Sequence, residues 1–194
     1  MHALLTATVF FALRATASPA ANGEGDPVPG TPTSSATSLA PGVYESDGLI
    51  VTVYGPGEMA VDETRYIDTT KGARHEQCWD NHLSSRDQEA YEDDCYALLD
   101  SLSRSSATNY LNPGLSWSFT TSQNRCRATV RNESNCRSFI VPRRDLASNG
   151  WTTYDHCASL SQRSGWGWFA HNAELMYWLE PVQAAPPAYS PRCN

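Results

Sequence analysis

Hydrophobic residues change their spacing repeatedly along this chain, and each change predicts an element. Residues 3–13 (ALLTATVFFAL) are an uncharged apolar run, shorter than the roughly 20 residues that span a bilayer. Ala15-Thr16-Ala17 follows with the small-x-small form of a signal-peptidase site. The predicted leader is Met1–Ala17, unusual in having no Lys or Arg ahead of the apolar run. Ser18–Gly42 is rich in Pro, Ser, Thr and Gly and has almost nothing large to bury, so a disordered tail open to O-glycosylation is expected. Gly48–Tyr54 (GLIVTVY) is β-branched and bounded by Asp-Gly and Gly-Pro-Gly, a strand signature. Residues 55–83 read as turn-like and polar, anchored by Cys78 and Trp79.

A helical period then sets in near Ser85. Ser85 and Gln88 have capping-box spacing, and Asp87, Glu89, Glu92, Asp93 and Asp94 place negative charge near the positive end of the helix dipole. Tyr91, Cys95, Leu98 and Leu102 share one face. Ser116–Thr121 alternates Trp117, Phe119 and Thr121 against small polar residues, which predicts a half-buried strand. Cys126–Arg131 pairs back on it after a turn at Gln123-Asn124. Cys136–Val141 is extended and stopped by Pro142, and a shorter helix is expected within Arg144–Leu160, interrupted near Gly150. A final hairpin joins Trp166–Ala170 to Glu174–Leu179 across His171-Asn172. The order predicts an α+β fold, an antiparallel sheet of four to five strands with two helices packed on one face. The domain spans 43–183, and Cys193 tethers the tail 184–194.

Charge narrows the partners. The chain has a net charge of −7, one unit more negative once Arg14 leaves with the leader, and Lys71 is its only lysine. Without a basic stripe, nucleic acid is excluded as a partner, and a stable association with an anionic membrane is not expected. A monomer is expected, with no cofactor.

All six cysteines lie beyond residue 77. Cys78, Cys95, Cys126, Cys136, Cys157 and Cys193 contain no CxxC spacing, so three structural disulfides are expected rather than a redox or zinc motif. Six cysteines pair in fifteen ways. The working assignment joins Cys95 to Cys126, Cys136 to Cys157, and Cys78 to Cys193. Asn132-Glu133-Ser134 is an N-glycosylation acceptor, which requires the Arg131–Asn135 connection to be exposed.

Catalytic signals are thin. No GxSxG or HExxH motif is present. His75, Glu76, His156, His171 and Arg144 are the candidates for a ribonuclease-like acid–base hydrolase, but nothing in their spacing brings them together. The histidines, His82 included, read as surface or turn residues. Trp166 and Trp168 share a strand face and, with Trp178 on the partner strand, form a candidate platform for sugar rings. Core packing is the competing reading of the same residues. The acidic run Glu89–Asp94 is explained by the helix dipole, so no metal is assigned. Arg143-Arg144 is expected to be exposed surface charge.

From Cys78 to Leu179 the chain resembles fungal small secreted cysteine-rich proteins of the effector and killer-toxin kind, necrosis-inducing factors among them. The residues that carry the resemblance are Asp94-Cys95 with Ala97-Leu98-Leu99, the Trp117 strand, Cys126, Phe139-Ile140-Val141-Pro142, Leu146 through Cys157, and the aromatic hairpin. The resemblance implies extracellular, effector- or toxin-like activity without catalysis, exerted by binding an extracellular or host protein or a glycan. It transfers no site residue, and the scarcity of lysine departs from basic killer toxins. A secreted hydrolase and a cell-wall carbohydrate-binding protein are the alternatives.

Overall fold

The computed structural model describes residues 39–55, 63–66, 77–159, 163–169 and 174–183, all within one compact unit, Ser34–Asn194. The expected leader, nearly all of the 18–42 tail, the 184–194 tail with Cys193, and Lys71, His75, Glu76 and His171 lie outside the described residues.

A hairpin comes first. β1 (Gly42–Ser46) and β2 (Leu49–Tyr54) pair antiparallel across Asp47-Gly48. Both turn residues have positive φ, 56° and 72°, the two-residue turn whose twist matches its strands and which favours Asp-Gly. Gly42 is therefore strand rather than tail. β3 (Glu63–Tyr66) and β4 (Gln77–Asp80) fall where only turns were expected.

The long helix α1 (Ser85–Arg104) starts from Ser84, one residue before the expected cap. Ser84 Oγ accepts from the Asp87 amide at 3.2 Å and donates to Asp87 Oδ2 at 2.6 Å, while Gln88 turns inward and is buried. Tyr91, Cys95, Leu98 and Leu102 are all buried, as their spacing predicts. β5 (Thr108–Leu111), β6 (Ser116–Thr120), β7 (Cys126–Asn132) and β8 (Arg137–Pro142) follow. The second helix, α2 (Arg143–Thr153), runs directly into a π-helical turn, Tyr154–Ser159. β9 (Arg163–Trp168) and β10 (Leu175–Pro181) complete the order.

Seven strands form the main sheet, in the order β1-β2-β6-β7-β10-β9-β4, and every pairing in it is antiparallel. A second sheet, β3-β8-β5, contains a parallel pair between β3 and β8. The α+β class and the antiparallel main sheet stand, but the expected four to five strands become seven plus three. The added strands are short edges; β1, for example, carries no fully buried residue, so burial leaves little apolar alternation in its sequence.

Register aligns Val53, Trp117, Val130 and Tyr177 across four strands. Helices cover this face: Thr153 Oγ1 and Tyr177 OH share a 2.6 Å hydrogen bond, and a disulfide ties α1 to β7. A Cβ on Gly150 would overlap Leu99 Cδ2. Gly150 is therefore where α1 and α2 approach each other, and no interruption occurs there. Phe139 and Val141 of the second sheet complete the core, so two helices on one face do not account for all of the cover. On the reverse face, Tyr54 OH, Ser118 Oγ and Thr129 Oγ1 form a hydrogen-bonded row. All five residues of β6 are buried, which corrects the half-buried expectation. Among the described residues, no helix is long and apolar enough to cross a membrane.

Candidate functional site

Cys95 is bonded to Cys126, as assigned from the sequence. The other assignments are corrected, because Cys78 is bonded to Cys157. Cys78 lies opposite Gly165 on the neighbouring strand, and Gly165 has no room for a Cβ between Thr153 and the Cys157 sulfur. Sheet pairing thus delivers Cys78 to the π-helical turn, a proximity that spacing could not reveal. Cys136 is also disulfide-bonded.

Asn132 is fully buried. Its Nδ2 donates to the Leu111 and Arg137 carbonyls at 3.1 and 2.7 Å, and its Oδ1 accepts from the Ser134 amide at 2.8 Å. The glycan expected at this nitrogen is incompatible with those bonds; Asn-Glu-Ser here builds a turn. Trp178 is 1% exposed, beneath the Arg131 guanidinium at 4.7 Å, and so offers no platform. Trp166 and Trp168 are half-buried, with ring planes 81° apart, an edge-to-face pair rather than a flat surface. Arg143, expected on the surface, is 3% exposed. Its guanidinium donates to Asn109 Oδ1, Ser46 Oγ and Asp47 Oδ2, and burial lowers its pKa while Asp47 opposes that shift. His156 and Arg144 are exposed.

A different region has the form of a site. β4, residues 81–83 and the neighbouring ends of β9 and β10 enclose a cleft of about 370 Å³. Trp79, Leu83 and Pro181 supply its apolar walls, and Asp80, Asn81, His82, Ser164 and Gln183 its polar groups. Register sets Trp79 opposite Ser164, and the Cys78–Cys157 bridge anchors the strand that carries the indole. Two side chains shape the rim by turning back on their own backbone. Asp80 Oδ1 accepts from the His82 amide at 2.9 Å, and Asn81 Oδ1 from the Leu83 amide at 3.2 Å. His82 takes a φ of 56° there. Asn81 Nδ2 also donates to Gln88 Oε1 at 2.8 Å, fastening the rim to α1.

Ser164 is fully buried, and its hydroxyl faces the Tyr91 phenol. Glu180 Oε2 is buried without a hydrogen-bond partner. Burial pushes the Tyr91 phenol well above its ordinary range; hydrogen bonding to Ser164 opposes the shift and Glu180 adds to it. Glu180 Oε1 accepts from Arg127 Nε and Nη2 at 3.1 and 2.6 Å. Burial still raises its carboxyl pKa, against the pull of Arg127. Buried polar groups therefore gather at this end of the sheet, and Glu180 Oε2 among them lacks a hydrogen-bond partner. Such an atom is uncommon in folded proteins and costs about 1–3 kcal/mol if left unmet.

Sequence reasoning took Trp79 as an anchor and Tyr91 as core, and passed over Ser164 and Glu180. The available signal was Glu180 itself, a carboxylate closing the apolar run Leu175–Leu179. A second hollow, lined by Asp47, Ser101, Arg104, Ser105 and Ser106, has its charges engaged: Arg104 pairs with Asp100, and Asp47 with Arg143. Among the described residues, no group of three His, Cys, Asp or Glu side chains is placed to hold a metal. No protein-family model, curated protein or solved structure matches this chain.

Proposed function

We propose that this protein is exported and acts outside the cell by binding, as an effector- or toxin-like factor that makes and breaks no covalent bond, with the sheet-end cleft as its recognition site. One observation carries this reading: the cleft is walled by an indole and lined beside it by the polar residues Asp80, Asn81, His82 and Gln183. A few oriented polar groups within an apolar concavity are the usual makings of a ligand site. The leader-like Met1–Ala17 and the disulfides support passage through an oxidising compartment. The rigidity that the bridges give also favours binding, because less conformational entropy is lost on association.

Expression of the full chain in a eukaryotic secretory host tests both halves of the reading. The expected product starts after Ala17, appears oxidised in the medium, and attaches saturably to target cells or their wall fraction. Trp79→Ala should weaken that attachment at least tenfold without changing the circular dichroism spectrum. Retention in the cytosol with free thiols would sink the export reading. Turnover of RNA, glycan or peptide by the purified protein would replace binding with catalysis.

A further inference from the structure

We infer that the cleft takes a neutral, hydroxyl-bearing ring, that is, a sugar unit of an extracellular glycan. This assignment rests on the cleft being the recognition site and adds the chemistry of its ligand. The shape comes first. Trp79, Leu83 and Pro181 contribute apolar surface to a space of about 370 Å³, within the size range of small-molecule sites. A pyranose ring has a flat face of C–H bonds that an indole covers well and an edge of hydroxyls that it does not.

The polar groups then select for hydroxyls. Asn81 and Gln183 contribute amides and Asp80 a carboxylate to the same lining. Asn81 is fixed by its bonds to Leu83 and Gln88, and Asp80 by its bond to His82. Preorganised groups of this kind lose little entropy when a ligand arrives.

Electrostatics disfavour the anionic alternatives. Among the described residues no Lys or Arg lines the cleft, and His82 lies 3.4 Å from Asp80 Oδ2. A phosphate, sulfate or uronate would meet the Asp80 carboxylate in that lining.

Isothermal titration of the oxidised full chain with soluble oligosaccharides tests the assignment. The panel comprises chitotetraose, a β-1,3-glucan hexamer and a mannan oligomer, with an oligogalacturonate of matched length as the anionic control. At least one neutral oligomer should bind saturably and the oligogalacturonate should not. Trp79→Ala should weaken binding at least tenfold, Trp79→Phe less, and Gln183→Ala about fivefold. Gln183 is exposed beyond the end of β10, so thermal unfolding of Gln183→Ala should barely move. Failure of every neutral oligomer to bind, or binding that survives both Trp79→Ala and Gln183→Ala, overturns the sugar assignment. The two proposals fail differently. Cell attachment that Trp79→Ala abolishes, without oligosaccharide binding, rejects the sugar alone. Attachment indifferent to Trp79→Ala rejects the cleft as the recognition site.

Discussion

Asp94 shows how much one side chain holds. It is fully buried midway along α1, yet it serves the far end of a hairpin. Its Oδ2 accepts from the Arg125 and Cys126 amides at 2.8 Å each, and Thr121 Oγ1 donates to its Oδ1. The carboxylate thus caps the β6–β7 connection beside the disulfide joining α1 to β7. Asp94→Ala leaves two backbone donors unmet and should cost about 3 kcal/mol or more, with Asp94→Asn costing less; urea unfolding of the oxidised protein checks both. In the sequence, Asp94 is indistinguishable from its acidic neighbours in a helix's first turns. Its role depends on a strand turn some thirty residues away, beyond the reach of helical periodicity. Arg143 was misread for the same reason: its carboxylate partner, Asp47, lies in the first hairpin.

Elements with a strong internal period were the legible ones. α1 was recognised from its buried stripe, and β6 with β7, and β9 with β10, from apolar runs separated by turns. β1 and β4 escaped because these edge strands bury little and alternate weakly, and β3 and β5 because four residues are too few to show a period. Missing β4 also hid the cleft, since Trp79 acquires its role only by pairing across to Ser164. Two of the disulfides act on this scale. Cys95–Cys126 closes a sequence separation of 31, and Cys78–Cys157 one of 79. Loop-closure entropy predicts stabilisation of about 3.7 and about 4.5 kcal/mol respectively. The paired substitution Cys78→Ala with Cys157→Ala should therefore lower the urea midpoint more than Cys95→Ala with Cys126→Ala. The opposite order would mean that native packing around α1, rather than the unfolded chain, governs the effect. Loss of the longer bridge should also release β4 and weaken ligand binding, whereas loss of the shorter one should leave the cleft's geometry intact.

The molecule as a whole buries titratable groups in their neutral-favouring direction at the cleft end of the main sheet. Glu180 has its folded pKa raised from an ordinary value of 4.5. Just above that pH the folded chain still holds a proton that the unfolded chain has lost. Stability must then fall as pH rises from about 4.5 to the raised value and level off beyond it. Glu180→Gln removes this titration, although it also loses the charge partner of Arg127. The stability difference between wild type and Glu180→Gln should accordingly shift against wild type as pH rises from about 4 to 8. A difference that does not change with pH would refute the raised carboxyl. Tyr91 acts with the same sign in a separate window, because its unfolded phenol ionises near pH 10 while the folded one does not. Alkaline unfolding should therefore be delayed in Tyr91→Phe.

Sequence alone determined the class: a compact α+β domain with one amphipathic helix, antiparallel hairpins and cysteines committed to bridges. Those features follow from periods of two and 3.6 residues and from composition, which need no knowledge of distant contacts. Tertiary structure decided the remainder. It chose Cys157 over Cys193 as the partner of Cys78, closed Asn132 to a glycan, and turned the tryptophans of the last hairpin away from a flat platform. It also brought Trp79, Ser164, Tyr91 and Glu180 together from four separate elements. Such meetings depend on strand order and register, and side chains reveal their mutual chemistry only once the sheet has set them side by side.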